Sequence, residues 1–161
     1  MVINALHFGI ELVNIEQNEL IMSGNFALKL FIVDNDLFSL AMYEQHLRNM
    51  KCTDVTCFDN ENSCLNKLHE MPKIILLDYR TNAAKGLTVL KQIKNINPDL
   101  YVVFITGPSS VITADKSLDY GALDFIVRDE NYIEKLQKIL VRIHQIDKLV
   151  HEPAAVNDAI L

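Results

Sequence analysis

Four mostly apolar runs in this 161-residue chain end in side chains that can handle phosphate or a metal ion. Leu28 to Val33 runs into Asp34-Asn35-Asp36, Ile74 to Leu77 into Asp78, Leu100 to Ile105 into Thr106, and Phe125 to Val127 into Arg128. If the first, third and fourth of the chain's apolar segments lie side by side, Asp34, Asn35, Asp78 and Thr106 meet on one edge and Arg128 arrives from the fifth. Two carboxylates, an amide and a backbone carbonyl suit Mg²⁺, which prefers an octahedral oxygen shell and keeps several waters. A hydroxyl at Thr106 and a cation at Arg128 would flank a phosphoryl oxygen beside that ion. Such a set makes sense for phosphoryl transfer to a carboxylate, where the protein supplies position and charge neutralisation. Taken singly, Asp78 reads equally well as a turn cap; the comparable chemistry at the other run ends lifts it above that.

These residues need a scaffold that brings strand ends together. Ile74-Ile75-Leu76-Leu77 is a short unbroken apolar run before a polar loop, the signature of a strand buried on both faces of a parallel sheet. Further strands are predicted over Leu28–Val33, Thr53–Phe58, Leu100–Ile105 and Asp124–Val127. Between them lie helical patterns: Leu37–Met50 capped by Asp36 or Asn35, and a short helix opened by Asn62 or Ser63 and closed before Pro72. A third, through Leu87, Leu90 and Ile93, stops near Asn97-Pro98, and a fourth runs from Ser109 or Ser110 to Tyr120-Gly121. The last spans about Tyr132 to Val150 on a broad apolar stripe. Regular alternation of this kind predicts an α/β fold, a doubly wound five-stranded parallel sheet with right-handed crossovers. Ligand crevices open at the carboxyl edge of such sheets, where all of the candidates stand.

Three segments follow: an N-terminal extension over 1–26, a domain over 27–150 and a tail over 151–161. In the extension, Leu6, Ile10, Val13, Leu20 and Ile21 fit a helix face, while Phe8, Ile10 and Leu12 fit strand alternation equally well. Val141 and Leu149 fall outside the stripe of the last helix, which together with the apolar extension and tail suggests a homodimer.

With 21 acidic against 15 basic residues, the formal charge of −6 argues against a broad nucleic-acid surface. Cys52, Cys57 and Cys64 are an odd set without metal-ligand spacing, and reduced thiols in a cytoplasmic protein are expected. The histidines are scattered, so no zinc site is expected. No stretch is long and apolar enough to span a membrane, and the first residues do not read as a secretion leader.

The run Ile32-Val33-Asp34-Asn35-Asp36, then Leu76-Leu77-Asp78 with Gly86 eight residues on, then Phe104-Ile105-Thr106-Gly107, then Gly121-Ala122-Leu123-Asp124-Phe125-Ile126-Val127-Arg128, resembles the receiver domain of two-component response regulators. The resemblance covers roughly residues 27–150. It implies the flavodoxin-like receiver fold and a role in phosphorelay signal transduction, with Asp78 as phospho-acceptor and Mg²⁺ held by Asp34, Asn35, Asp78 and the main-chain carbonyl of Arg80. It makes Thr106 the hydroxyl that follows the phosphoryl group, Phe125 the switch aromatic and Arg128 the basic residue of the site. Implied partners are a sensor histidine kinase or phosphotransfer protein and a downstream protein target, and the only enzymatic activity implied is self-phosphorylation and dephosphorylation. After Pro153 too little sequence remains for an output module, so either a stand-alone receiver or a piece of a longer regulator is expected.

The departures from the family pattern define a second reading. Asn35 stands where a second acid is usual, which should weaken Mg²⁺ binding. Arg128 stands for a lysine and is not its equivalent, being planar and bidentate. Asp129 stands for a proline, and a cis bond there would cost about 3 kcal/mol, so that loop must be rebuilt or strained. Asn82 also replaces a proline, and Arg80 puts a cation close enough to pair with Asp78. These changes suit a pseudo-receiver that works as an interaction or dimerisation module without phosphorylation. A third reading, from another class, is a haloacid-dehalogenase-type phosphatase with Asp34 as nucleophile, Asp36 as acid/base and Thr106 and Asp129-Glu130 completing the series. Phe38 is wrong for that series, and Asp78 would be left without a role.

Overall fold

The computed structural model describes residues 28–79 and 82–151. The extension over 1–26, the tail beyond His151 and Arg80 lie outside the described residues. Five strands, β1 (Leu30–Val33), β2 (Val55–Phe58), β3 (Ile74–Asp78), β4 (Tyr101–Thr106) and β5 (Asp124–Val127), form one sheet in the order β2-β1-β3-β4-β5. All neighbouring pairs are parallel. The helices between them are α1 (Leu37–Asn49), α2 (Glu61–Asn66), α3 (Ala83–Ile96), α4 (Val111–Asp119) and α5 (Tyr132–His151). The strand order reverses between β1 and β3, and a crevice opens at such a switch point.

Alternation along the strands splits the core in two. Leu30, Ile32, Ile74, Leu76, Val103 and Ile105 face α1 and α5, where Leu40, Tyr43, Leu47, Leu136 and Leu140 meet them. Phe31, Val33, Ile75, Leu77, Val102 and Phe104 face the other way, toward Cys64, Leu90, Ile93 and Ala114. Strands buried on both faces need no polar alternation, which explains why β3 reads as a plain apolar run. Asp78 continues the parity of Ile74 and Leu76, so its side chain leaves the sheet on the α1 and α5 side.

Several local expectations shift, each for a physical reason. Leu37, the first residue of the expected helix, is 69% exposed, because the buried face of α1 starts at Ser39 and Leu40. α2 opens two residues early: the side chain of Asn60, rather than Asn62 or Ser63, accepts from the Ser63 N–H at 2.9 Å. α3 starts at Ala83, because Asn82 caps it by accepting from the Lys85 N–H at 3.0 Å. The residue that breaks the family's proline position therefore starts a helix. A single 3₁₀ turn, Pro108–Ser110, precedes α4. Val141 is buried to 1%, not outside the stripe, since α5 turns Leu140 and Val141 together onto the sheet. Leu149 and Val150 are exposed near the end of α5.

The loop after β5 is rebuilt around Asp129. No cis peptide occurs among the described residues. The Asp129 N–H donates to the Val127 carbonyl at 2.9 Å, and the Asp129 carboxylate accepts from the Asn131 N–H at 2.9 Å and pairs with Lys135 at 2.6 Å. That aspartate turns the chain directly into α5.

Candidate functional site

Asp34 leaves the end of β1 and Asp78 the end of β3, both nearly fully buried at 2% and 4% exposure, while Asn35 sits exposed beside them. All three line one cavity of about 350 Å³. An Asp34 carboxylate oxygen accepts from the Asp36 N–H at 2.9 Å, which holds the acidic turn closed. Asp36 itself points away into α1, where it caps the helix by accepting from the Phe38 N–H at 3.0 Å and the Ser39 hydroxyl at 2.7 Å. A residue committed to a cap is poorly placed as an acid/base partner for Asp34, which counts against the phosphatase reading.

Asp78 is held from the inner side. Its Oδ2 accepts from the Tyr43 hydroxyl at 2.8 Å and from Arg128 Nη1 at 3.3 Å. The same Nη1 donates to Ser39 Oγ at 3.1 Å and approaches Tyr43 Oη at 3.5 Å. The guanidinium carbon lies 5.2 Å from the Tyr43 ring centre and 5.1 Å from that of Tyr132, and the two rings meet edge to face at 6.1 Å. Burial first, then the charge of Asp78, pushes the Tyr43 phenol well above its usual range, so it remains a proton donor. Arg128 fits here as lysine could not: a planar cation can stack on rings and reach several acceptors at once.

Thr106 ends β4 one position beyond Ile105, the register partner of Asp78. It is fully buried; its hydroxyl makes a long 3.4 Å contact to the Gly107 carbonyl, and its own carbonyl accepts from the Arg128 N–H at 2.8 Å. Phe125 is half-buried and packs against the second core, on the face opposite Asp78. The sheet therefore brings Asp34, Asn35, Asp78 and Arg128 together. It sets Thr106 on the neighbouring strand end and Phe125 on the far face, and Arg80 lies outside the described residues.

Several functional neighbours are absent from the sequence reading. Ser39 and Tyr43 lie one helical turn apart on the inner face of α1, and that spacing after an acidic turn was the available signal. Asp59 lines the cavity from the loop after β2, Glu61 from the first residue of α2, and Lys85 from the first turn of α3. Lys85 pairs with Glu61 at 2.6 Å, and that hydrogen-bonded ion pair draws the Glu61 carboxyl below its usual range. Nothing in local pattern announces a contact between residues 24 positions apart.

Among the described residues, no three His, Cys, Asp or Glu side chains group closely enough to enclose a metal. Mg²⁺ needs less than that, binding through one or two carboxylates, its own waters and phosphate oxygens. Asp34 and Asp78 on one cavity wall meet this minimum, so the donor chemistry fits a water-rich, weakly held ion. The guanidinium on Asp78 and the neutral amide of Asn35 both lower the negative charge available.

Comparison with known proteins decides the family. The sequence matches the response regulator receiver domain family over residues 30–140. The chain belongs to that family. Receiver domains generally bind Mg²⁺ at their acidic pocket. This receiver is 30% identical to the transcriptional regulatory protein ZraR of Escherichia coli K12 over 124 residues, covering 74% of this chain and 28% of that protein. The regulatory protein LuxO of Vibrio parahaemolyticus is 28% identical over 98 residues, covering 60% of this chain and 21% of its own length. The receiver thus spans about a quarter of the curated relatives it matches. Among solved structures, the signal receiver domain of a Bacteroides fragilis response regulator superposes with a TM-score of 0.64 at 28% identity, covering 72% of this chain and 95% of that one. A receiver domain from Clostridium thermocellum shares the fold with a TM-score of 0.67 at 19% identity, covering 76% of this chain and 98% of that one. Among the described residues no helix is long and apolar enough to cross a membrane.

Proposed function

We propose that this receiver takes a phosphoryl group on Asp78 from a phosphohistidine on a sensor kinase or phosphotransfer protein and thereby changes its affinity for a downstream target. The observation that carries this reading is that buried Asp78 lines the same cavity as Asp34 at the sheet's switch point. A carboxylate oxygen of Asp78 attacks phosphorus in line, the P–N bond breaks, and the electron pair passes to the imidazole, which takes a proton from water. Asp34 and Asn35 would hold Mg²⁺ with Asp78 and the Arg80 carbonyl. When bound, the ion neutralises phosphoryl oxygens. The Thr106 hydroxyl would turn from the Gly107 carbonyl toward the phosphoryl group, and Arg128 would offset its charge. Residues 27–150 act as the receiver, flanked by 1–26 and 151–161, in the reducing cytoplasm that free thiols suit.

Acetyl phosphate with Mg²⁺ should produce one acid-labile phosphoryl adduct, seen by mass spectrometry or a phosphate-sensitive gel, and Asp78→Asn should abolish it. No adduct in the wild type would sink the reading. In that event the pseudo-receiver reading stands, favoured by Asn35 and by the Tyr43 and Arg128 contacts already made to Asp78 Oδ2. Partner binding and any homodimer would then be insensitive to phosphodonor.

A further inference from the structure

Arg128 is unusually placed for a cation that meets a phosphoryl group. Its guanidinium lies against Tyr43 of α1 and Tyr132 of α5, and one nitrogen reaches Asp78 Oδ2, Ser39 Oγ and Tyr43 Oη. The carboxylate of β3, the serine and tyrosine of α1 and the first residue of α5 thus share one cation. Tyr43 is fully buried within the core that joins α1 to α5 through Leu40, Leu47, Leu136 and Leu140. The Tyr132 hydroxyl is buried beside this group without a hydrogen-bond partner among the described residues. Buried polar groups are nearly always paired, so the Tyr132 phenol can take a partner when the groups around Arg128 rearrange.

We infer that Arg128 and Tyr43 form a positioning linkage that passes the charge state of Asp78 to the packing of α1 against α5. This deepens the acceptor reading by naming where its signal goes. While Asp78 is a bare carboxylate, the guanidinium is anchored inward, the two phenol rings clasp it, and the start of α5 is drawn onto α1. A phosphoryl group on Asp78 adds oxygens and charge on the cavity side. Arg128 follows them, Tyr43 and Ser39 lose their shared partner, and the contact between Tyr43 and Tyr132 loosens. The output is then carried by the α1 and α5 layer, with Phe125 on the opposite face left as packing.

Hydrogen–deuterium exchange on the full chain tests this without any phosphodonor. Asp78→Asn removes the charge that anchors Arg128, and should speed exchange in peptides over Leu37–Asn49 and Tyr132–Leu140 by about threefold or more, with α3 unchanged. Arg128→Met should give the same pattern, and the double variant no more than either alone, because both cut one linkage. Tyr43→Phe keeps the ring and loses only the hydroxyl, so it should move the same peptides even if Arg128→Met fails to fold. Unchanged α1 and α5 exchange in Asp78→Asn, a rise spread evenly over all helices, or multiplying effects in the double variant would each overturn the inference. Acetyl phosphate with Mg²⁺ runs in parallel. Absence of an adduct there ends the acceptor reading while the exchange pattern still decides the linkage, and an adduct without faster α1 and α5 exchange overturns the linkage alone.

Discussion

Asn35 sets how much negative charge the cavity of this receiver offers a cation. Beside Asp34 it contributes an amide where a carboxylate would add a full charge at the exposed rim. A unit charge a few ångströms away is worth on the order of 1 to 4 kcal/mol between bulk water and a protein surface. Taking the lower end for an exposed position, Asn35→Asp should tighten Mg²⁺ binding roughly fivefold, read by calorimetric titration. An unchanged affinity would mean the ion does not bind next to residue 35. Gly86 is constrained differently. A Cβ built there would stand 2.6 Å from the Phe104 ring and 2.7 Å from Tyr79, whose rings stack at 6.3 Å. Gly86→Ala should therefore cost about 1 to 3 kcal/mol by overpacking, visible as a lower urea midpoint with the same slope. The spacing of Gly86 after Asp78 was legible in the sequence as part of a motif. Its reason was not, because the partners it accommodates come from β4 and from the residue just past the end of β3.

At the scale of elements, strands were the most legible, since burial on both faces writes a continuous apolar run and β3, β4 and β5 sit within a residue of their expected positions. Helix starts were less so. Asn60 and Asn82 both begin helices through side-chain caps to the third residue on. Either position reads as an ordinary loop residue until the backbone geometry is known. Asn82→Ala should cost about 1 kcal/mol, measured by denaturant melting, whereas loss of nothing would show that α3 is fixed by its packing alone. The site divides along the same line. Asp34, Asp78 and Arg128 are visible as strand ends, whereas Tyr43 falls within the apolar pattern of a helix and nothing local marks its hydroxyl as part of the site. The 3₁₀ turn Leu68–Glu70 before β3 carries a pH dependence. Hydrogen bonds from Lys29 and then Lys67 draw the Glu70 carboxyl down to about 2 from 4.5. A depressed acid stabilises the fold above its unfolded value and loses that contribution as pH falls through the folded one. Wild type should therefore lose stability relative to Glu70→Gln between pH 4.5 and about 2, and the two should run parallel above that window. Since Glu70 and Lys29 are only partly buried and Lys67 is exposed, the divergence should shrink in high salt.

For the whole molecule, the question is whether one cooperative unit is complete within residues 28–151. Both cores share the same five strands, so neither the α1 and α5 layer nor the opposite layer can open without exposing apolar surface of β1, β3 and β4. That coupling predicts a single unfolding transition. The thiols divide between the layers, Cys52 in one and Cys64 in the other, and burial pushes them up to about 11 and about 12. They act as small apolar side chains, and reductant should leave the transition unmoved. The sheet is covered on both faces by described helices, and its central strands are buried between them. A protein cut to 28–151 is expected to unfold in urea with the same slope as the full chain and a stability within about 0.5 kcal/mol of it. A loss well beyond that, or a second transition in the full chain alone, would mean that the terminal segments pack against the receiver. The independent receiver domain expected over 27–150 would then have to be given up.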